Sequence, residues 1–324
     1  MKKKNKPVCL LLCIVFALGL TACAGHTEQK TKIAVIAKGT SSDFWQSVKR
    51  GVDAAATEYN VSVTFEGPEN EEDYRAQNAF IEAAVSNGAN AIVLSAIDYE
   101  KSSVVLETAA QSGVKIVTID SAADSPQVSM FIGTDNEAAG LAAAKAATDG
   151  FAPESKIYIG LVNYYQSTDN GIKREKGFRN YIDTLSNAEI VAAVNVASNT
   201  ESASAGAAVL LHENPQINVL VGLNEWTTLG VGTAIQNLNL AEQVRGVGFD
   251  TNTISVGMLE TGEMDALVVQ NPFAIGYLGV QNAAELIAGE GGEKADIYTS
   301  VTTVTKNNMF DSEVQKLLFE FYDD

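Results

Sequence analysis

Short polar side chains recur in this 324-residue sequence directly after apolar, β-branched runs. The run at 32–37 leads into Lys38, Ser42 and the aromatic pair Phe44-Trp45; the run at 91–94 leads into Ser95 and Asp98; the run at 114–119 leads into Asp120 and Ser121. In the second half the same kind of position holds Asn163, then Asn224 with Glu225 and Trp226, then Asp250, then Gln270 with Asn271. Carboxylates accept hydrogen bonds, lysine donates them and carboxamides do both. Gathered in one place, these groups would surround a small polar solute with donors and acceptors. Arg174 falls on an amphipathic segment at 172–185, where a solvated charge is the ordinary outcome. At a cleft edge its guanidinium fork could instead donate to two adjacent hydroxyls.

Each residue also has a plainer reading. Asp and Ser after a strand are favoured helix caps, so Ser42, Asp120 and Asp250 could serve only as caps. Recurrence at matching positions in both halves favours a shared cleft. Phe44 and Trp45 could both be core anchors, but neighbours on a helix point about 100° apart, which lets one face the core and the other the cleft.

Catalytic chemistry finds little support. The two histidines, His26 and His212, lie away from the strand ends, and no Gly-x-Ser-x-Gly elbow, metal-spaced His/Glu set or Walker loop occurs. Carboxylate pairs such as Asp98 and Asp120 leave acid–base work on a glycoside as a remote alternative. No cofactor or metal is expected, and no calcium loop of Asp-x-Asp-x-Asp-Gly form is present. The chain carries 22 Lys+Arg against 40 Asp+Glu, a net charge of −18. Without the four lysines of the N-terminal segment the balance is 18 against 40, or −22. Such a surface repels phosphate backbones and argues against a nucleic-acid partner.

Strands and helices alternate so as to bring these residues together. Apolar residues at 44, 48, 52, 55, 56 and 59 have helical spacing, and further helices are expected at 74–85, 102–111, 137–147, 172–185, 202–212, 227–238 and 254–259. Pro272 suits the first turn of another, which ends at Gly289. Between them stand β-branched runs at 61–65, 91–94, 114–119, 156–160, 190–196, 219–221, 244–248 and 266–269. This rhythm implies right-handed βαβ units and parallel sheets. It restarts after Gly133-Thr134-Asp135-Asn136, and the stretches 87–94 and 117–120 are echoed at 214–221 and 246–250. Two α/β lobes of similar plan, each doubly wound and Rossmann-like, are therefore expected. In such sheets ligands bind beyond the carboxyl ends of the strands.

The first residues read as an address. Lys2, Lys3, Lys4 and Lys6 precede an apolar run at 8–20, whose 13 residues fall short of the ~20 a membrane-spanning helix needs. Leu20-Thr21-Ala22-Cys23 then resembles the lipobox of bacterial lipoproteins, which implies a signal peptide at 1–22 and a lipidated Cys23. The alternative is an ordinary signal peptide or signal anchor. Residues 23–31 would tether the domain. Cys9 and Cys13 lie in the leader, so no cysteine remains beyond Cys23 for a disulfide.

Phe44-Trp45, Ile119-Asp120, Gly133-Thr134-Asp135-Asn136, Arg174-Glu175-Lys176-Gly177-Phe178, Asn224-Glu225, Gly248-Phe249-Asp250 and Gln270, in this order and spacing, resemble the sugar-binding branch of the type I periplasmic binding proteins. The resemblance runs over about 32–304. It implies an N-terminal lobe at 32–134 plus 271–299 and a C-terminal lobe at 135–270 plus 300–324, joined by a three-stranded hinge. It also implies a ligand site of Lys38, Ser42, Phe44, Trp45, Ser95, Asp120, Arg174, Asn224, Asp250 and Gln270. There Phe44 or Trp45 would stack on a sugar ring, Asp120 and Asp250 would accept from hydroxyls, Arg174 would donate a pair, and Asn224 and Gln270 would do both. Ser42 and Ser95 stand where relatives often carry Asn or Asp. Ser121 replaces an arginine found in ribose binders and Lys38 replaces a small residue, which would admit a ligand with some negative charge. The function so implied is an extracytoplasmic lipoprotein, a monomer anchored to the bacterial cell membrane. It would capture a monosaccharide or similar solute and deliver it to an ABC permease. The alternative partner is a membrane sensor kinase, with a sugar phosphate, inositol or nucleoside as further possible ligands. A DNA-binding regulator of the lactose-repressor type would need a DNA-reading domain where the lipobox stands.

Overall fold

The computed structural model describes residues 30–290 and 295–319; the leader and Cys23 lie outside the described residues. In chain order the strands are β1 (Lys32–Ile36), β2 (Ser62–Glu66), β3 (Ala91–Leu94), β4 (Lys115–Ile119), β5 (Phe131–Thr134), β6 (Ile157–Asn163), β7 (Ala188–Asn195), β8 (Val219–Gly222), β9 (Arg245–Phe249), β10 (Ala266–Val269), β11 (Ile297–Thr299) and β12 (Thr302–Thr305). They form two six-stranded sheets, ordered β11-β5-β4-β3-β1-β2 and β12-β10-β9-β8-β6-β7. All pairings are parallel except β10 with β12.

Hydropathy explains the strand order. A parallel strand covered on both faces has no solvent side, so it tolerates an unbroken apolar run. The interior strands β3, β8 and β10 are AIVL, VLVG and ALVV, buried at every position. The edge strands β2 and β7 carry polar residues and are partly exposed along their length.

Helices α1 (Asp43–Glu58), α2 (Tyr74–Ser86) and α3 (Ser103–Gln111) flank the first sheet, which α9 (Pro272–Ala288) returns to cover. Helices α4 (Asn136–Thr148), α5 (Asp169–Ile182), α6 (Thr200–Glu213), α7 (Glu225–Asn237) and α8 (Thr253–Thr261) flank the second, with α10 (Ser312–Leu318) against the same core. Alternation along β1 feeds two cores: Ile33 and Val35 pack on one face of the sheet, Ala34 and Ile36 on the other. The chain passes between the sheets three times, after Thr134, after Gln270 and between β11 and β12.

One helix starts earlier than its apolar spacing suggests. The Thr168 hydroxyl accepts from the backbone N–H of Gly171, capping α5 so that it begins at Asp169 and not at 172. Arg174 thereby sits in the second turn and is 1 % exposed, not the solvated charge that is the ordinary outcome on such a helix. Its backbone is fixed by two glycines. A Cβ on Gly140 of α4 would lie 2.0 Å from the Arg174 carbonyl oxygen, and one on Gly177 would lie 2.0 Å from that of Glu137. Only side chains without a Cβ let α4 and α5 approach this closely. The same device joins α1 and α9 in the other lobe, through Gly51 against Phe273 and Gly276 against Val48.

Candidate ligand-binding site

The carboxyl ends of both sheets open on one cavity, where ligands bind in sheets of this kind. Its wall includes Lys38, Ser42, Phe44, Trp45 and Asp120 from the first lobe and Arg174, Asn224, Asp250 and Gln270 from the second. Ser95 lies beneath the wall: it is fully buried and its hydroxyl donates to Asp120 Oδ2 at 2.8 Å.

The two aspartates occupy equivalent places. Asp120 follows β4 and Asp250 follows β9, with φ of 56° and 65°, in the left-handed region that non-glycine residues seldom enter. Their backbone N–H groups donate to the carbonyls of Ile132 and Val268, both at 3.0 Å, which holds each turn against the next strand. Neither caps a helix. Strain of this kind, on order 1–3 kcal/mol per residue, persists where the surroundings over-determine it and clusters at functional sites.

Around Asp120, Lys38 Nζ stands 3.1 Å from Oδ2, and Asn170 Nδ2 donates to the two oxygens at 3.2 and 3.3 Å. The Lys38 ammonium also lies 5.9 Å from the Trp45 ring centroid and 5.8 Å from that of Tyr164. Burial alone would lower the lysine pKa, but Asp120, Tyr164 and Glu71 outweigh it and the net shift is upward. The lysine charge is thus met by a carboxylate of the same wall.

Around Asp250, Gln270 Nε2 donates to Oδ1 at 2.6 Å, and Thr134 Oγ1 donates to Gln270 Oε1 at 2.7 Å. This chain of bonds ties the cavity wall to two of the three crossings between lobes. Burial raises the Asp250 pKa against the opposing pull of Arg174. The Arg174 guanidinium packs on the Phe249 ring at 4.5 Å, donates from Nε to Asn136 Oδ1 at 2.8 Å and from Nη1 to the Leu223 carbonyl at 2.9 Å, and leaves Nη2 buried without a partner.

Capping does account for part of the set. Ser42 Oγ accepts from Trp45 N–H at the start of α1, and Asn224 Oδ1 accepts from both the N–H and the hydroxyl of Thr227. Asn224 therefore has its Nδ2 to offer the cavity. Phe44 and Trp45 belong to the core of the first lobe and also reach the cavity wall, edge to face at 5.1 Å.

Five lining residues were absent from the expected set: Glu71, Tyr164, Asn170, Glu225 and Trp226. Glu71 Oε1 accepts from the indole N–H of Trp45 at 3.0 Å and of Trp226 at 3.1 Å. Glu225 accepts from Asn252 Nδ2 at 2.9 Å and from Phe44 N–H at 3.3 Å. Tyr164 donates to Asn170 Oδ1 at 2.9 Å, whereas its neighbour Asn163 turns away and donates to Glu175. Glu225 and Trp226 were visible at a strand end, and Tyr164 follows one directly; Glu71 carried no comparable signal.

Several of these bonds cross from lobe to lobe: Trp226 to Glu71, Phe44 to Glu225 and Asn170 to Asp120. Further out, Tyr165 donates to Asp98 at 3.1 Å, Ser198 N–H to Glu72 at 2.9 Å and Tyr99 N–H to the Ser167 carbonyl at 2.9 Å. The cleft is closed.

Burial pushes the Glu225 carboxyl up to about 7, with Asp250 acting in the same direction and the bond from Asn252 opposing. Its unfolded counterpart titrates at 4.5. Between these values the unfolded chain loses the proton first, so stability falls as pH rises to about 7 and levels off above it. The whole step is worth roughly 3 kcal/mol. Urea unfolding across this window is expected to show that decline in the wild type and a shallower one in Glu225→Gln; equal slopes would contradict the assignment.

Residues 33–291 match the family model of the periplasmic binding protein domain. The chain belongs to this family. Among its relatives, the D-ribose/D-allose-binding protein of Pseudomonas aeruginosa is 27% identical over 297 residues, 88% of this chain and 91% of the other. A solute-binding protein from Agrobacterium vitis with bound D-fucose is 31% identical, superposes with a TM-score of 0.85, and matches over 89% of this chain and 100% of its own. A carbohydrate-transporter solute-binding protein from Agrobacterium radiobacter in complex with D-arabinose is 29% identical at a TM-score of 0.87, over 90% and 100%. The two α/β lobes with mostly parallel sheets are the type I periplasmic binding protein architecture.

Proposed function

We propose that this periplasmic binding protein captures a monosaccharide between its lobes, leaves it chemically unchanged and delivers it to an ABC importer. The observation that carries the reading is a polar cavity walled by both lobes and shut by direct bonds between them, in a chain whose relatives are sugar-binding proteins along most of its length. Asp120 and Asp250 accept from ring hydroxyls, Arg174 Nη2 and Asn224 Nδ2 donate, and Phe44 and Trp45 cover an apolar ring face. The moving bodies are 32–134 with 271–299 and 135–270 with 300–324, hinged at the three crossings. Ligand favours the closed form only by the difference in its contacts with the two forms, and contacts from both lobes exist only when closed. Cys23 carries the lipid that holds this monomer at the membrane, outside the cytoplasm.

A thermal-unfolding panel of aldopentoses, aldohexoses, their phosphates, inositols and nucleosides tests this reading. A cognate sugar at 100 times its dissociation constant adds about 2.7 kcal/mol and shifts the midpoint by a few degrees. No shift with any sugar would count against it.

A further inference from the structure

The ionisable groups on the cavity wall do not balance. Four carboxyls line it, from Glu71, Asp120, Glu225 and Asp250, against two cations, Lys38 and Arg174. Lys38 is in contact with Asp120, also acts on Glu71 and lies 5.9 Å from the Trp45 ring centroid, and Arg174 acts on Asp250. The direct hydrogen-bond donors to Glu71 and Glu225 are neutral: two indoles for the first, a carboxamide and a backbone N–H for the second. Glu71 accepts from Trp45 and Trp226, and Glu225 from the N–H of Phe44, so these two carboxyls lie on the side of the cavity walled by Phe44, Trp45 and Trp226. Carboxylates beside aromatic faces attract an organic cation, through charge and through the ring quadrupole.

A second feature points to the rest of the ligand. Arg174 is 1 % exposed, lines the same cavity and has a buried Nη2 without a partner, which calls for an oxygen acceptor. Resting on the reading as a sugar receptor, we infer that the ligand is a sugar or polyol bearing an ammonium group, seated with that group against Glu71 and Glu225 and a hydroxyl against Arg174. Burial raises the pKa of both glutamates, and an ammonium beside them stabilises their ionised forms. An anionic sugar would favour their neutral forms instead and gain no such stabilisation.

Isothermal titration of the purified full-length chain in detergent, at neutral pH, tests this with matched pairs: glucosamine and glucose, galactosamine and galactose, an inosamine and inositol. The N-acetylated hexosamines keep the nitrogen and remove its charge. At least one amine is expected to bind tenfold or more tighter than its neutral parent, and N-acetylation is expected to remove that gain. Glu71→Gln and Glu225→Gln, which keep the shape of the side chain, are each expected to lower the amine-to-parent ratio at least tenfold. Neutral parents binding as tightly as their amines in every pair would overturn the inference and leave the receptor standing. Binding by no member of any pair, with unfolding still cooperative, would overturn both.

Discussion

Asp250→Ala is expected to weaken binding of the cognate sugar at least tenfold, about 1.4 kcal/mol, while the lobe stays folded. The carboxylate is buried, accepts from Gln270 and lies in the field of Arg174. A hydrogen bond between a hydroxyl and a charged group contributes about 1.5–3 kcal/mol, so the loss of one suffices. Alanine also has to adopt φ near 65° without the local bonding that lets Asp or Asn do so, so the variant should unfold at a lower temperature. Asp250→Asn separates the two effects. It tolerates the left-handed backbone and can keep the bond from Gln270, so its unfolding midpoint should stay closer to wild type while its affinity falls. Wild-type affinity in both variants, measured by titration calorimetry, would remove Asp250 from the site.

Lys38→Met should cost about 3–5 kcal/mol of stability, the usual penalty for breaking a buried ion pair from one side. Lys38 is 4 % exposed and Asp120 2 %, and without the ammonium the Asp120 carboxylate retains only Ser95 and Asn170 as donors. Methionine fills much the same space, which isolates charge from packing. In an Asp120→Asn background the same change should cost far less, since no carboxylate remains to be stranded; the double-mutant cycle gives the coupling directly. A loss below 1 kcal/mol in urea unfolding of Lys38→Met would show that the pair is not closed off from solvent as the geometry requires.

The sequence was most informative where physics leaves one solution. Unbroken apolar runs such as AIVL and ALVV had to be interior parallel strands, and their carboxyl ends led directly to Asp120, Asp250 and Gln270. β5, β11 and β12 are only three or four residues long and carry no such run, so they were legible only as crossings. Helical spacing locates the apolar stripe of α5 but not the Thr168 cap that sets its start, so spacing alone leaves the burial of Arg174 open. The same missing turn hid Asn170. One residue of alternation separates Asn163, which turns away to Glu175, from Tyr164, which reaches the cavity. Glu71 lies in the loop after an edge strand, and its place depends on two indoles from different lobes, a relation that no local pattern carries.

Those indoles also supply the most direct test. The chain has two tryptophans, Trp45 and Trp226, one in each lobe, and both line the cavity. Intrinsic fluorescence followed during titration with monosaccharides and their amines is therefore a report from the site itself. A capture site between these lobes predicts a saturable change with at least one of them, lost or shifted to at least tenfold higher concentration in Asp250→Ala. A folded protein whose emission changes with none of them would contradict it.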